Sequence, residues 1–262
     1  MRIATFLLMF GTGLLLSSLL VTVAGPGRMS QSAASVISFL LPSLAFAYVY
    51  GQPSAINFLG FKKPLSREMY ILPVVCILAA FPAAIWLNDV NHMLPAPGWM
   101  LEMEQAADKH TKMLLQGGGV MMMLLNLVVM ALVPAVCEEV CFRGVIQRLA
   151  IRLFNMWTGV IATSLFFSVL HLQFQGFLPR FFFSVILGVM YSYSGTIWSS
   201  ILAHFVANAI QVIAVVYLPD FMNKNSSIPL VWVFVGIFVV VISLFRMKRN
   251  FSTSNLLAQY RK

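Results

Sequence analysis

Charged side chains are scarce in this sequence, and acidic ones are the scarcest. Only 10% of the 262 residues are charged, and Asp and Glu together number 8. A soluble domain usually carries about 25% charged residues, so the composition excludes an ordinary soluble globular protein. Hydrophobic residues make up 60% of the chain and its mean hydropathy is +0.88. These values predict an integral membrane protein with a single membrane domain.

Cysteine is also scarce, with three residues in the chain. Cys76, Cys137 and Cys141 all lie in apolar segments without zinc-finger spacing, which predicts buried core thiols rather than a disulfide framework. The net charge of +9 could suggest nucleic acid as a partner. However, the basic residues lie between apolar runs, where the positive-inside bias places them in membrane proteins. We therefore predict the lipid bilayer as a partner, and no nucleic acid.

Long apolar runs dominate the sequence instead. A helix needs about 20 apolar residues to cross the hydrocarbon core, which predicts an all-α, polytopic bundle of about eight transmembrane helices. The first run exceeds a typical signal-peptide core, so we interpret it as a transmembrane helix. The predicted spans are Ile3–Ala24, Ala34–Tyr50, Met69–Leu87, Gly119–Phe154, Trp157–Leu172, Arg180–Tyr193, Ile197–Leu218 and Ile228–Phe245.

The chain divides into three predicted blocks. Residues 1–118 hold three spans and a polar outside connection, in which Met100–Leu115 is predicted to form an interfacial amphipathic helix. Residues 119–218 hold four spans, and residues 219–262 hold the last span and a basic tail. Most Lys and Arg residues fall on one side if both termini are cytoplasmic, and the positive-inside bias predicts that orientation.

Two adjacent carboxylates interrupt the fourth apolar span. If this helix leaves the membrane between Arg148 and Arg152, then Glu138 lies roughly 15–21 Å below that surface, at 1.5 Å rise per residue. Ionisable groups near the membrane midplane are costly and mark a functional site by default. Glu139 and Arg143 are spaced i, i+4, which predicts an ion pair, and leaves Glu138 free for other work.

Two other spans place polar side chains at similar depths. In the fifth span Phe167 precedes His171 by four residues, and in the seventh His204 precedes Asn208 by four. Each pair therefore shares one helix face. Polar groups at such depth must face the bundle or a wet cavity and find partners there.

This set of side chains favours hydrolysis of an amide bond by water. A carboxylate in a low-dielectric site can act as a general base, and a Glu–His pair can hold and deprotonate a water molecule. A second His with an Asn amide supplies donors for a developing oxyanion. Glu138, His171 and His204 are also a ligand set known from catalytic zinc sites. The residues alone leave metal-activated and glutamate-activated water both open.

Other readings of the cluster remain open. A purely structural triad of buried charges would need no chemistry. A non-catalytic membrane scaffold, or a regulator of a signalling or immunity partner, could also use these residues to bind a peptide. A proton-coupled transporter would be expected to have repeated halves with broken helices, and the sequence contains no internal repeat.

The polar motifs resemble those of the CPBP family, the CAAX protease and bacteriocin-processing (Abi) proteins, which include type II CAAX prenyl endopeptidases. The resemblance extends over about Leu124 to Ile213. Each motif alone is weak, but their order within apolar helices is specific. The residues that carry it are Glu138-Glu139-x-x-x-Arg143, Phe167-x-x-x-His171, Leu187-Gly188, Gly195-Thr196-Ile197-Trp198 and His204-x-x-x-Asn208.

The resemblance implies an eight-helix intramembrane endopeptidase whose catalytic core is residues 119–218. It implies that Glu138 activates water beside His171 and that His204 and Asn208 form an oxyanion site or complete the polar cluster. Glu139, Arg143 and Phe167 would shape the site. The family is often labelled metalloprotease, so zinc is a candidate cofactor, although none is certain.

The expected substrate is a membrane-associated peptide or protein. Eukaryotic relatives remove three residues from prenylated C-termini, whereas bacterial relatives are linked to peptide processing, bacteriocin immunity or membrane signalling. The compact chain resembles the bacterial relatives, so we predict a multi-pass protein of a bacterial plasma membrane.

Overall fold

A computed structural model describes residues 2–64, 66–115, 119–218 and 228–250. Within these ranges the chain is helical and contains no strand. The helices are α1 (Arg2–Ala24), α2 (Arg28–Tyr50), α3 (Ala55–Phe58), α4 (Glu68–His92), α5 (Gly98–Leu115), α6 (Val120–Leu153), α7 (Met156–Leu170), α8 (Phe177–Ser194), α9 (Ile197–Tyr217) and α10 (Leu230–Asn250).

Seven helices of the described chain are long and apolar enough to cross a membrane: α1, α2, α4, α6, α8, α9 and α10. The eighth predicted span corresponds to α7, which is apolar but has only 15 residues. Large apolar side chains such as Leu8 and Leu15 lie exposed on the outer helix faces, as lipid contact requires. The prediction of an all-α polytopic membrane bundle of about eight helices is confirmed.

Several predicted boundaries shift in the structure. The predicted amphipathic helix Met100–Leu115 is part of α5, which begins two residues earlier at Gly98. The start of the predicted basic tail, Arg246 to Arg249, instead continues α10 as helix, and Arg261 and Lys262 lie outside the described residues. The three-block division and the orientation of the termini stay predictions.

The helix α6 is continuous, but two π-helical segments interrupt its α-helical geometry. A π-helical segment at Leu127–Leu132 comes just before Pro134, and a second one spans Phe142–Gln147. Proline has no N–H and its ring clashes with the carbonyl four residues earlier, so a wider turn relieves that strain. π-Helical turns of this kind are frequent at functional sites, and the two segments bracket Glu138 and Glu139.

The buried apolar side chains form two clusters. In one of them α1 and α2 pack against α6 through aromatic rings, including those of Phe10, Phe39 and Phe142. In the other, α4 packs against α8, α9 and α10. The polar side chains of α6, α7, α8 and α9 come together between these two apolar clusters.

Candidate active site

Helix α6 holds a sealed ion pair. Arg143 Nε lies 3.2 Å from Glu139 Oε2, and both side chains are 0% exposed. Arg143 also donates through Nη2 to the backbone carbonyl and to the hydroxyl of Ser184 on α8. The predicted Glu139–Arg143 pair is therefore present in the structure. A buried charge is tolerated when it is paired and hydrogen-bonded.

Helix α9 brings His204 to the same carboxylate. Gly195, with φ of +68°, ends α8 in the left-handed conformation, and the Thr196 hydroxyl caps α9 by accepting from the Trp198 N–H. Two turns further along, His204 Nδ1 lies 3.0 Å from Glu139 Oε1. A carboxylate held ionised by Arg143 accepts the Nδ1 proton, and this bond fixes the orientation of the imidazole ring.

Glu138 occupies a different position from its neighbour. Its Oε2 lies 3.7 Å from His204 Nε2, and 12% of its side chain is exposed, whereas the Glu139 side chain has no exposed surface. The two adjacent carboxylates therefore contact opposite ring nitrogens of His204. Of the two, only Glu138 can be reached by water or substrate.

Helix α7 delivers His171 at its C-terminal end. The Asn155 side chain caps its first turn by accepting from the Thr158 N–H. His171 Nδ1 lies 2.8 Å from the Phe167 carbonyl oxygen, and since a carbonyl only accepts, Nδ1 carries the proton. The Nε2 lone pair of His171 is thus free to accept a proton or bind a ligand, and the residue is exposed.

Phe167 joins these parts by ring contacts. Its ring centroid lies 4.7 Å from that of His171, 6.0 Å from that of His204 and 5.7 Å from the Arg143 guanidinium carbon. A ring face favours a cation above it, and its bulk separates the sealed pair from the exposed histidine. The Phe167 ring therefore packs beside all three side chains, and its site-shaping role stays a prediction.

Two predicted partnerships differ in the structure. Glu138 was expected to work with His171, yet within the described chain its ion-pair partner inside 4.0 Å is His204. His204 was expected to donate to an oxyanion, but its Nδ1 is used by Glu139 and its Nε2 faces Glu138. Asn208 lies one turn further along α9 and is half-buried. The catalytic roles of these residues stay predictions.

Sequence reasoning missed Arg180. In the predicted spans it is only the first residue of Arg180–Tyr193. The structure places it in the first turn of α8, half-buried and in electrostatic range of both Glu138 and Glu104. The signal that could have found it is the position of this cation at the start of an apolar span, where a charged side chain needs a partner.

In the part of the chain that the structure describes, the predicted zinc ligands do not come together as a set. Among residues 2–64, 66–115, 119–218 and 228–250, no three His, Cys, Asp or Glu side chains lie close enough together to hold a metal ion. The donor types of Glu138, His171 and His204 suit zinc, but their placement does not. The predicted core thiols Cys76, Cys137 and Cys141 are free and buried.

The fold and the site together define the class of this protein. It is a polytopic helical membrane protein with a carboxylate–histidine–arginine cluster buried within its bundle. Within that class, residues 120–210 match the family model described as type II CAAX prenyl endopeptidase Rce1-like. The matched segment contains every predicted site residue, and the resemblance to the CPBP family is thereby confirmed. Searches of curated proteins and of solved structures each found no match.

Proposed function

We propose that this protein is an intramembrane endopeptidase that hydrolyses a peptide bond of a membrane-associated peptide or protein. The observation that supports it best is the contrast between the two carboxylates. Glu139 is sealed between Arg143 and His204, whereas Glu138 contacts the same histidine and remains partly exposed. The family match to a CAAX prenyl endopeptidase implies protease activity for residues 120–210.

In the proposed reaction Glu138 takes a proton from a water molecule, whose oxygen attacks the scissile carbonyl carbon. In its doubly protonated form, with the Nδ1–H donated to Glu139, His204 directs its Nε2–H towards the Glu138 carboxylate and steadies it. His171, with Nδ1 committed to the Phe167 carbonyl, offers Nε2 as a second acceptor for the same water. When the C–N bond breaks, the proton held by Glu138 passes to the departing amine.

The oxyanion formed by the attack needs hydrogen-bond donors, and Asn208 is the proposed donor. Its side-chain amide follows His204 by one turn of α9 and carries two N–H groups. Pre-placed donors of this kind stabilise charge that develops in the transition state. No step of this scheme passes through a metal ion.

Cleavage by purified protein tests the proposal. Wild-type protein and a Glu138→Gln variant are placed in liposomes with membrane-anchored peptides, prenylated and non-prenylated in separate arms, and the products are identified by mass spectrometry. Loss of a general base lowers rates by roughly 10²–10⁴-fold, so Glu138→Gln should cleave at least about 100-fold more slowly. Glu102→Gln, an exposed carboxylate on α5, is the matched control and should cleave like wild type.

The scaffold reading predicts the opposite result. In that case wild-type protein and Glu138→Gln would bind the same peptides and release no fragments. Equal fragment yields from the two proteins would also overturn the proposal, because they would show that the carboxylate of Glu138 is not needed. Comparison of the two peptide arms then tells whether a prenyl group is part of the recognised substrate.

A further inference from the structure

The loop that follows His171 lies where backbone polar groups are hard to satisfy. Helix α7 has 15 residues, so it rises about 22 Å at 1.5 Å per residue, less than the roughly 30 Å of a hydrocarbon core. The loop 172–176 therefore begins within the depth of the membrane. Irregular backbone at such depth is tolerated only where protein or a wet cavity supplies its partners.

Asn91, the penultimate residue of α4, supplies two of these partners. Its Nδ2 donates to the Phe174 carbonyl at 2.9 Å, and its Oδ1 accepts from the Leu178 N–H at 2.7 Å. The side chain thus joins the loop to the first turn of α8. Asn91 is 1% exposed, so water does not compete for these bonds.

Glu104 on α5 supplies a third bond. Its Oε2 accepts from the Gln175 N–H at 3.1 Å, and the residue is buried, although the neighbouring Gln105 and Met103 on the same helix are exposed. A buried carboxylate that accepts from backbone N–H makes a charge-assisted bond, which is stronger than a neutral one. The outside helix α5 is therefore fixed to the loop at this point.

Arg180 binds the loop from its other side. Nη2 donates to the Gln173 side-chain oxygen at 2.6 Å, and Nη1 donates to the Gln173 carbonyl at 3.4 Å. The guanidinium is also in electrostatic range of Glu104 and of Glu138. It passes close to Gly176, where a Cβ would lie 2.9 Å from Nη2.

These contacts hold an unfavourable backbone conformation next to His171. Leu172 has φ of +52°, in the left-handed region that costs an ordinary L-residue steric strain. Its side chain is 67% exposed, so packing of that side chain does not compensate. Conformations of this kind persist only where the surroundings impose them, and here the surroundings are the bonds from Asn91, Glu104 and Arg180.

We propose that Asn91, Glu104 and Arg180 form a loop clamp that positions His171 for the reaction. The catalytic part of this inference rests on the proposed protease function. Asn91 and Glu104 lie outside the family-matched residues 120–210, so the clamp makes the N-terminal half of the chain a working part of the site. All three act through the loop and are positioning residues.

The test combines hydrogen exchange with kinetics. Asn91→Leu removes the acceptor of the Leu178 N–H, and Glu104→Leu removes the acceptor of the Gln175 N–H. Deuterium uptake of a peptide covering residues 172–179 should therefore rise in detergent-solubilised protein. A small misplacement of a catalytic group can cost about 100-fold in rate. We expect kcat to fall by about 10-fold or more while KM changes less than kcat.

Conservative and matched variants separate positioning from loss of fold. Glu104→Gln keeps an oxygen that accepts from the Gln175 N–H, so exchange and kcat should remain closer to wild type than in Glu104→Leu. The controls Glu102→Leu and His92→Leu change exposed neighbours on the same helices. Both should match wild-type exchange and kcat.

Two results would overturn the clamp. One is unchanged exchange of the loop in both leucine variants, which would show that these side chains do not hold it. The other is raised exchange with an unchanged kcat, which would show that the loop does not position His171. If wild-type protein cleaves no peptide, the proposed function fails, and the exchange measurement still decides whether the clamp holds the loop.

Discussion

The family-matched residues 120–210 and the described residues before position 116 handle buried polar groups in different ways. In the matched segment, Glu139 and Arg143 pair on α6, and His204 reaches the same carboxylate from α9, 65 residues further along the chain. In the N-terminal part, buried hydroxyls mostly bond locally, as Ser17 does to the Leu14 carbonyl. The first arrangement depends on which charged and polar side chains are present. The second requires only that the helices pack together in lipid.

The exceptions in the N-terminal part are informative. Glu104 is the buried charged residue described before position 116, and with Asn91 it bonds the loop beside His171. In the N-terminal part, therefore, the buried polar side chains that bond to distant backbone lie where this part of the chain meets the site.

Arg143→Leu should have the largest effect on stability. It leaves Glu139 as an uncompensated buried charge, which typically costs about 3–5 kcal/mol, and it also removes the bonds to Ser184. The free energy of unfolding, measured in detergent with increasing denaturant, should fall by that amount. Arg246→Leu is the control, because that side chain is 61% exposed and lies 3.6 Å from Glu68.

Surface ion pairs contribute about 0–1 kcal/mol, so the control should unfold nearly as wild type does. Similar losses in Arg143→Leu and Arg246→Leu would contradict the distinction between a sealed pair in the site and an ordinary ion pair on the outer helices.

Gly236→Ala tests packing outside the site. A Cβ at this position of α10 would lie 2.3 Å from the Ala79 carbonyl oxygen of α4, and backbone cannot turn aside as a side chain can. The two helices must separate, and overpacking of this kind costs about 1–3 kcal/mol. The melting temperature should fall without a change in the rate of cleavage per folded molecule.

Gly11→Ala is the matched substitution with the smallest expected effect. Nothing lies within 4 Å of a Cβ built at this position of α1, and Ala is favoured over Gly in a helix interior by roughly 0.5–1 kcal/mol. The variant should melt slightly above wild type. A lower melting temperature would show that protein, rather than lipid, packs closely against the face of α1 that carries Gly11.

Hydropathy and short-range spacing predict a large part of this molecule. The membrane class and the approximate spans follow from apolar runs, and the Glu139–Arg143 pair follows from i, i+4 geometry within one helix. The contact between His204 and Glu139 joins residues 65 positions apart. Spacing alone does not reveal which carboxylate a distant histidine meets, since that depends on how α9 rotates against α6.

Arg180 and Asn91 show the same limit from another side. In a sequence, a cation at the edge of an apolar run resembles an interfacial anchor, and an Asn at a helix end resembles a solvated cap. Both instead bond to the loop that follows α7, whose backbone groups require partners. Such requirements arise from tertiary packing, which local pattern does not encode.

We infer that the two adjacent carboxylates have different roles, and a paired substitution separates those roles. Glu138→Gln and Glu139→Gln are compared for cleavage rate and melting temperature in the same liposome preparation. The account predicts that Glu138→Gln loses cleavage and keeps a wild-type melting temperature, whereas Glu139→Gln loses both. Equal behaviour of the two variants, or full cleavage by Glu138→Gln, would contradict it.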